Sequence, residues 1–179
     1  KYVIEKKTTQ PEAEPDKPNS LLGSLIAGAA GSSASFSDVA PGAWYYGDVA
    51  WANAEGLMNG TGFGQFSPDA ATSRAMIVTI LWRLEGQPAA GACPFADVKP
   101  GSYYEQAIAW AAEKGIVNGI SKTAFLPDGT ITREQFATIL YRYAKDYKGY
   151  GVSVGEDTNI LSYVDAFSIS DYAFPALQW

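Results

Sequence analysis

The chain has 179 residues, 47% hydrophobic and 18% charged, a composition that supports a folded globular unit rather than a disordered one. Its formal charge of −6 comes with no basic cluster, which argues against nucleic acid or an anionic membrane surface as partner, since either needs a field of Lys and Arg. The absence of His and the presence of one Cys remove the commonest metal ligand and general base, the Ser-His and Cys-His nucleophile pairs, and any internal disulfide or thiolate cage, so no metal, cofactor or catalytic residue is expected.

Residues 1–18 read as the end of an upstream region, KYVIEKK, followed by an extended linker rich in Pro and acid, and the chain as a whole reads as part of a longer protein. Residues 19–35, SLLGSLIAGAAGSSA with Asn19 before it, leave three readings open. Leu21, Leu22, Leu25, Ile26, Ala29 and Ala30 share one helical face that Asn19 can cap; the apolar run followed by small residues also has the look of a secretory signal remnant; the third reading is disorder. No run approaches the roughly 18 apolar residues of a membrane span, and no membrane insertion is expected.

Two copies of one motif follow, at 36–90 and 91–150. Residues 36–84 and 95–143 align without a gap at an offset of 59, and 20 of the 49 aligned positions are identical. The matches fall on Phe, Asp, Gly, Pro, Trp and Arg rather than on common helix formers, so the copies share a backbone shape. Each reads as helix, long loop, helix. The first helix starts after Pro41-Gly42 or Pro100-Gly101, turns Trp51 or Trp110 inward and stops at Gly56 or Gly115. A turn at Asn59-Gly60 or Asn118-Gly119 follows, and the loop returns through Phe66-x-Pro68-Asp69 or Phe125-x-Pro127-Asp128. Ser73 and Thr132 are placed to cap the second helix; Gln135 can complete a capping box with Thr132, whereas Met76 cannot do so with Ser73. A partial third copy spans 160–179, ending at Trp179, the counterpart of Trp51 and Trp110 after a one-residue slip. About 50 residues make a marginal core, so the copies must pack on one another.

The ordered set FxDV, YY, AW, GL or GI, NG, FxPD and a Ser/Thr-Arg helix start resembles the S-layer homology module over 36–143, and in part over 163–179. That resemblance implies an all-α fold in which tandem helix-loop-helix repeats pack as a pseudo-threefold helical bundle. It implies an extracellular, wall-associated segment that anchors a surface protein to a Gram-positive envelope by binding secondary cell-wall polysaccharide, often pyruvylated, in grooves between repeats. The alternative reading is a protein-protein or S-layer-type assembly module, with self-association. The incomplete third copy would leave one bundle position open, and residues 20–30 have the apolar period to fill it, as would a second chain.

Arg74 and Arg133 sit in the first turn of a helix, where the macrodipole disfavours a cation by up to about 1 kcal/mol. A pyruvyl carboxylate at that place would gain from free backbone N–H groups and a bidentate guanidinium together. The competing reading pairs each Arg with Asp69 or Asp128 of its own repeat. Gly60 and Gly119 would admit a sugar ring against the backbone, or simply make a turn. Trp44, Tyr45, Tyr103 and Tyr104 could stack on sugar faces or fill the space between repeats; packing is favoured for most of them, with Trp44 and Tyr103 taken as the candidates for the ligand and Ser73 and Thr132 as further glycan-binding candidates. Trp51, Trp110 and Trp179 are expected in the core, Cys93 as a small packed residue, and Asp38 and Asp97 as braces of the first helix. The shared acids lie in turns rather than as a spaced pair, which argues against a glycosidase, and Asp128-Gly129-Thr130 lacks the alternating ligands of a calcium loop.

Overall fold

The computed structural model describes residues 36–151 and 159–179. The linker, the 19–35 stretch and the idea that residues 20–30 complete the bundle lie outside the described residues.

The architecture is all-α. Repeat one supplies α1 (Tyr46–Ala54) and α2 (Arg74–Leu84), and repeat two supplies α3 (Glu105–Glu113) and α4 (Arg133–Arg142). The chain leaves α4 through a π turn at Tyr143–Tyr147, makes short 3-10 turns at Ile160–Ser162 and Ala166–Ser168, and ends on α5 (Phe174–Gln178). Among the described residues the only extended pairings are two isolated bridges, Gly62 with Gln65 and Ser73 with Thr130.

Local chemistry sets where the second helices begin. The Ser73 hydroxyl accepts from the Met76 N–H, and Thr132 with Gln135 closes a full capping box. Packing then passes from one copy to the next: α2 lies on α3, and α4 lies on α5. The core sits where α2 meets α3, with Val78, Ile108, Trp110, Ile116 and Phe125 all fully buried. Each such aliphatic side chain contributes about 1.5–3 kcal/mol relative to exposure. Cys93 packs at the edge of this core, and burial pushes its thiol above the usual range, so it stays protonated.

The two second helices are joined at both ends. At their starts the Arg74 N–H donates to the Gly129 carbonyl (2.9 Å), the Ala75 N–H to the Pro127 carbonyl (2.9 Å) and the Ile131 N–H to the Thr72 carbonyl (3.1 Å). Beyond their ends Glu85 accepts from the Tyr143 and Tyr147 hydroxyls and from Lys148 Nζ. Burial alone would raise the Glu85 carboxyl, but these donors hold it below its ordinary value.

Two expectations need correction. Of the three equivalent tryptophans only Trp110 is core, at 1% exposure, against 36% for Trp51 and 49% for Trp179. Trp110 has α2 of the preceding repeat and the Tyr147 ring over it (centroids 5.3 Å apart), whereas no preceding repeat covers α1 among the described residues. Trp179 packs against the Tyr141 ring, 5.7 Å between centroids, and keeps 49% of its surface exposed. Second, Asp38 and Asp97 brace the return loop rather than the first helix. Asp38 accepts from the Phe66 and Ser67 N–H groups at 2.8 and 2.7 Å, and Asp97 from those of Phe125 and Leu126 at 2.9 and 2.8 Å. The clamped Ser67 and Leu126 are themselves left-handed, φ 59 and 60, a conformation costing about 1–2 kcal/mol for a residue with a Cβ.

Candidate functional site

A cleft of about 590 Å³ opens in repeat one between the loop after α1 and the outer side of α2, and Tyr103 of repeat two closes its rim. The turn that forms its floor depends on Gly60. At φ 78, a Cβ there would land on the Gln65 carbonyl and on the Phe36 ring, so the backbone is pressed against the repeat's own aromatic core. Gly119 makes the same turn in repeat two, at φ 72, with the Phe95 ring and the Ala124 carbonyl each 2.6 Å from where a Cβ would stand. The turn reading is therefore met at both glycines, and at Gly60 the same turn also lines the cleft.

The walls are mostly neutral. Met58, Phe66, Pro68 and Ile80 give apolar surface, while Thr61 and Ser67 present a pair of hydroxyls 2.6 Å apart. Tyr103 is 56% exposed, with its ring against the ring of the buried Tyr104 at a T-shaped 5.0 Å. Its phenol is pushed up by burial first and then by the negative charge of Asp128, so it stays protonated and can donate; the Ser73 hydroxyl lies beside it. Among the described residues the one charged side chain on the wall is Arg83, at the end of α2, whose Nη1 donates to the Leu57 carbonyl at 2.9 Å.

Of the sequence candidates, Gly60 and Tyr103 line this cleft, with Ser73 next to Tyr103. Arg74 does not line it. It is buried at 6% exposure, donates from Nε to the Phe125 carbonyl (2.9 Å) and from Nη1 to Gln135 Oε1 (3.2 Å), and lies 4.7 Å over the Phe125 ring. Its partners belong to the next repeat, not to Asp69 of its own. Trp44 is 89% exposed at the start of α1 and stands apart from the cleft, its ring 5.3 Å from that of Tyr45. Thr132 and Arg133 open α4 and are exposed; Arg133 has no ion pair or hydrogen bond among the described residues. Its neighbour Glu134 reaches the C-terminal segment instead, accepting from the Ser170 N–H (3.1 Å), the Ser170 hydroxyl (3.1 Å) and the Tyr172 hydroxyl (3.0 Å). The Ser170 N–H first, and then these hydroxyls, hold the Glu134 carboxyl below its ordinary value against a smaller opposing effect of burial.

Arg83 was missed as a site residue by sequence reasoning. A signal existed: Arg83 and Arg142 are identical at equivalent positions, but a cation in the last turn of a helix has an ordinary macrodipole explanation and drew no further question.

The profile of the S-layer homology domain matches residues 35–75 and 94–137. The chain is 35% identical over 144 residues to an endoglucanase of Bacillus sp. strain KSM-635, an alignment covering 80% of this chain and 15% of that protein. It is 32% identical over 123 residues to the surface-layer 125 kDa protein of Lysinibacillus sphaericus, covering 69% of this chain and 10% of the relative. A cellulosome-anchoring protein of Acetivibrio thermocellus is 32% identical over 85 residues, covering 45% and 19%. The chain thus spans less than a fifth of the length of each of these relatives.

Proposed function

The chain belongs to the S-layer homology family through its two full repeats, and from that premise we propose that it is a non-catalytic anchor that binds secondary cell-wall polysaccharide carrying pyruvate. Its coarser role, attachment at the cell surface, follows from the family and from relatives named as surface-layer and cellulosome-anchoring proteins. The chain is extracellular, associated with the wall or S-layer. Relatives with enzyme names match over a small part of their length, so no catalytic role passes to this chain from them.

The observation that carries the glycan reading is the cleft itself: a mostly neutral, hydroxyl-bearing cavity of about 590 Å³, with an exposed tyrosine at its rim and one cation on its wall among the described residues. An aromatic ring and paired hydroxyls suit the apolar face and the hydroxyl edge of a saccharide, and the cation suits an acidic substituent. A second position is the open start of α4. Gly119, Thr132 and Arg133 belong to that repeat, and the exposed Arg133, unpaired among the described residues, offers a guanidinium fork for a carboxylate.

Calorimetric titration with purified pyruvylated wall polysaccharide, and with the same polymer after its pyruvate is removed, tests the reading. Saturable binding that weakens with loss of pyruvate is the expected result. Failure of the chain to bind either polymer sinks the proposal and favours assembly, for which the half-exposed Trp51 and Trp179 at the two ends of the repeat row offer apolar surface.

A further inference from the structure

The geometry points to Arg83, not Arg74, as the residue that holds the acid group of the saccharide in the cleft of repeat one, an assignment that rests on the glycan reading above. The two arginines differ in what their guanidinium groups have left to give. Arg74 is buried and spends two of its five N–H donors on the Phe125 carbonyl and on Gln135, both in repeat two, with its guanidinium over the Phe125 ring. A ligand could reach it only by prising the repeats apart.

Arg83 is half-buried on the cleft wall and spends one of its five N–H donors on the Leu57 carbonyl. That bond fixes the side chain without exhausting it, which leaves a pre-positioned fork beside the cavity. Its position at the end of α2 is also where a helix dipole favours a cation. The nearest acid in sequence, Glu85, does not neutralise it, because Glu85 is engaged with Tyr143, Tyr147 and Lys148.

The rest of the wall turns a cation into selectivity. Among the described residues no acid lines the cleft, and the chain carries a net charge of −6, so an acidic ligand is attracted only where a cation stands locally. Thr61, Ser67 and Tyr103 line the same cleft as Arg83 and offer hydroxyls and a ring to the attached sugar. Removing the acid should therefore cost binding through Arg83 specifically.

The experiment is a cycle of two changes. The whole chain, unsubstituted and as R83Q and R83K, is titrated with pyruvylated wall polysaccharide and with its pyruvate-free form, while thermal unfolding confirms that each variant is folded. The expected result is a loss of about tenfold or more for R83Q on the pyruvylated polymer, a further loss on removing pyruvate that is much smaller than the unsubstituted chain shows, and an intermediate loss for R83K, which keeps the charge without the fork. If R83Q retains the full difference between the two polymers, the carboxylate is held elsewhere and the assignment falls while the anchoring reading stands. If R83Q does not fold, R83K decides by the same comparison. If the unsubstituted chain binds neither polymer, the anchoring reading itself falls and takes the assignment with it.

Discussion

The joint between repeats one and two and the joint between repeat two and the C-terminal segment 159–179 start from equivalent helix positions and end up with opposite chemistry. At the first, the α2 start is closed. The Arg74 and Ala75 N–H groups donate to the Gly129 and Pro127 carbonyls, and the Arg74 guanidinium is buried on the Phe125 loop. At the second, α4 opens on an exposed Arg133, and it is Glu134, in the place of Ala75, that grips Ser170 and Tyr172. What differs is the following loop. Repeat two has a return loop to lay against Arg74, whereas among the described residues nothing equivalent lies against Arg133. A helix-start arginine is therefore a clasp when the next loop is present and an open cation when it is not.

The largest expected effect tests whether burial follows the joint. Trp110→Ala should destabilise by about 3–5 kcal/mol in denaturant unfolding, because the fully buried ring leaves a cavity under α2. The equivalent Trp51→Ala should cost about 1 kcal/mol, near the ordinary value for a single substitution. Equal losses would mean that α1 is covered as completely as α3.

The arginine pair gives the next contrast. Arg74→Gln should cost about 2–3 kcal/mol, since it leaves the Phe125 carbonyl and Gln135 without their charged donor. Arg133→Gln should stay within about 0.5 kcal/mol in the same assay yet weaken wall-polysaccharide binding if the open start of α4 is a glycan position. A large stability loss at Arg133 would show that it too is clasped.

The smallest effect concerns the loop clamps that the two full repeats share. The N–H of Phe66 holds the Asp38 carboxyl below its ordinary value; at Asp97 burial opposes the shift, and the N–H groups of Phe125 and Leu126 outweigh it, aided by Arg74. A carboxyl depressed in the folded state contributes stability that is complete above its unfolded pKa, about 3.9, and is lost as pH falls through the folded value. Unfolding midpoints should thus drop below about pH 4. Asp97→Asn should lower stability at neutral pH by about 1 kcal/mol, given the solvent exposure of the clamp, and should shrink the acid-induced loss. An unchanged acid profile would assign the loss to other carboxylates such as Glu134 and Glu85.

Much of the repeat was legible because its instructions are local. Ser73 and Thr132 announce their helices, Gln135 announces a capping box, and Asn59-Gly60 and Asn118-Gly119 announce turns; all of these appear where the spacing put them. The left-handed Ser67 and Leu126 were not legible, since neither residue type favours that conformation and both are held there by an Asp 29 residues earlier. The cleft was half legible. Gly60 and Tyr103 could be named from repeat logic, but Arg83 could not be preferred over Arg74 until their hydrogen bonds were known.

By itself, then, the sequence determined the repeat, its helix starts and turns, and the family. Only the tertiary structure decided which member of each equivalent pair is buried, which is open and which cation faces the cavity. The physical reason is that caps and turns are satisfied within a few residues of chain, whereas burial of Trp110 and the clasp on Arg74 are supplied by the adjoining repeat. Identical residues at Trp51 and Arg133 carry no mark of whether that neighbour is there.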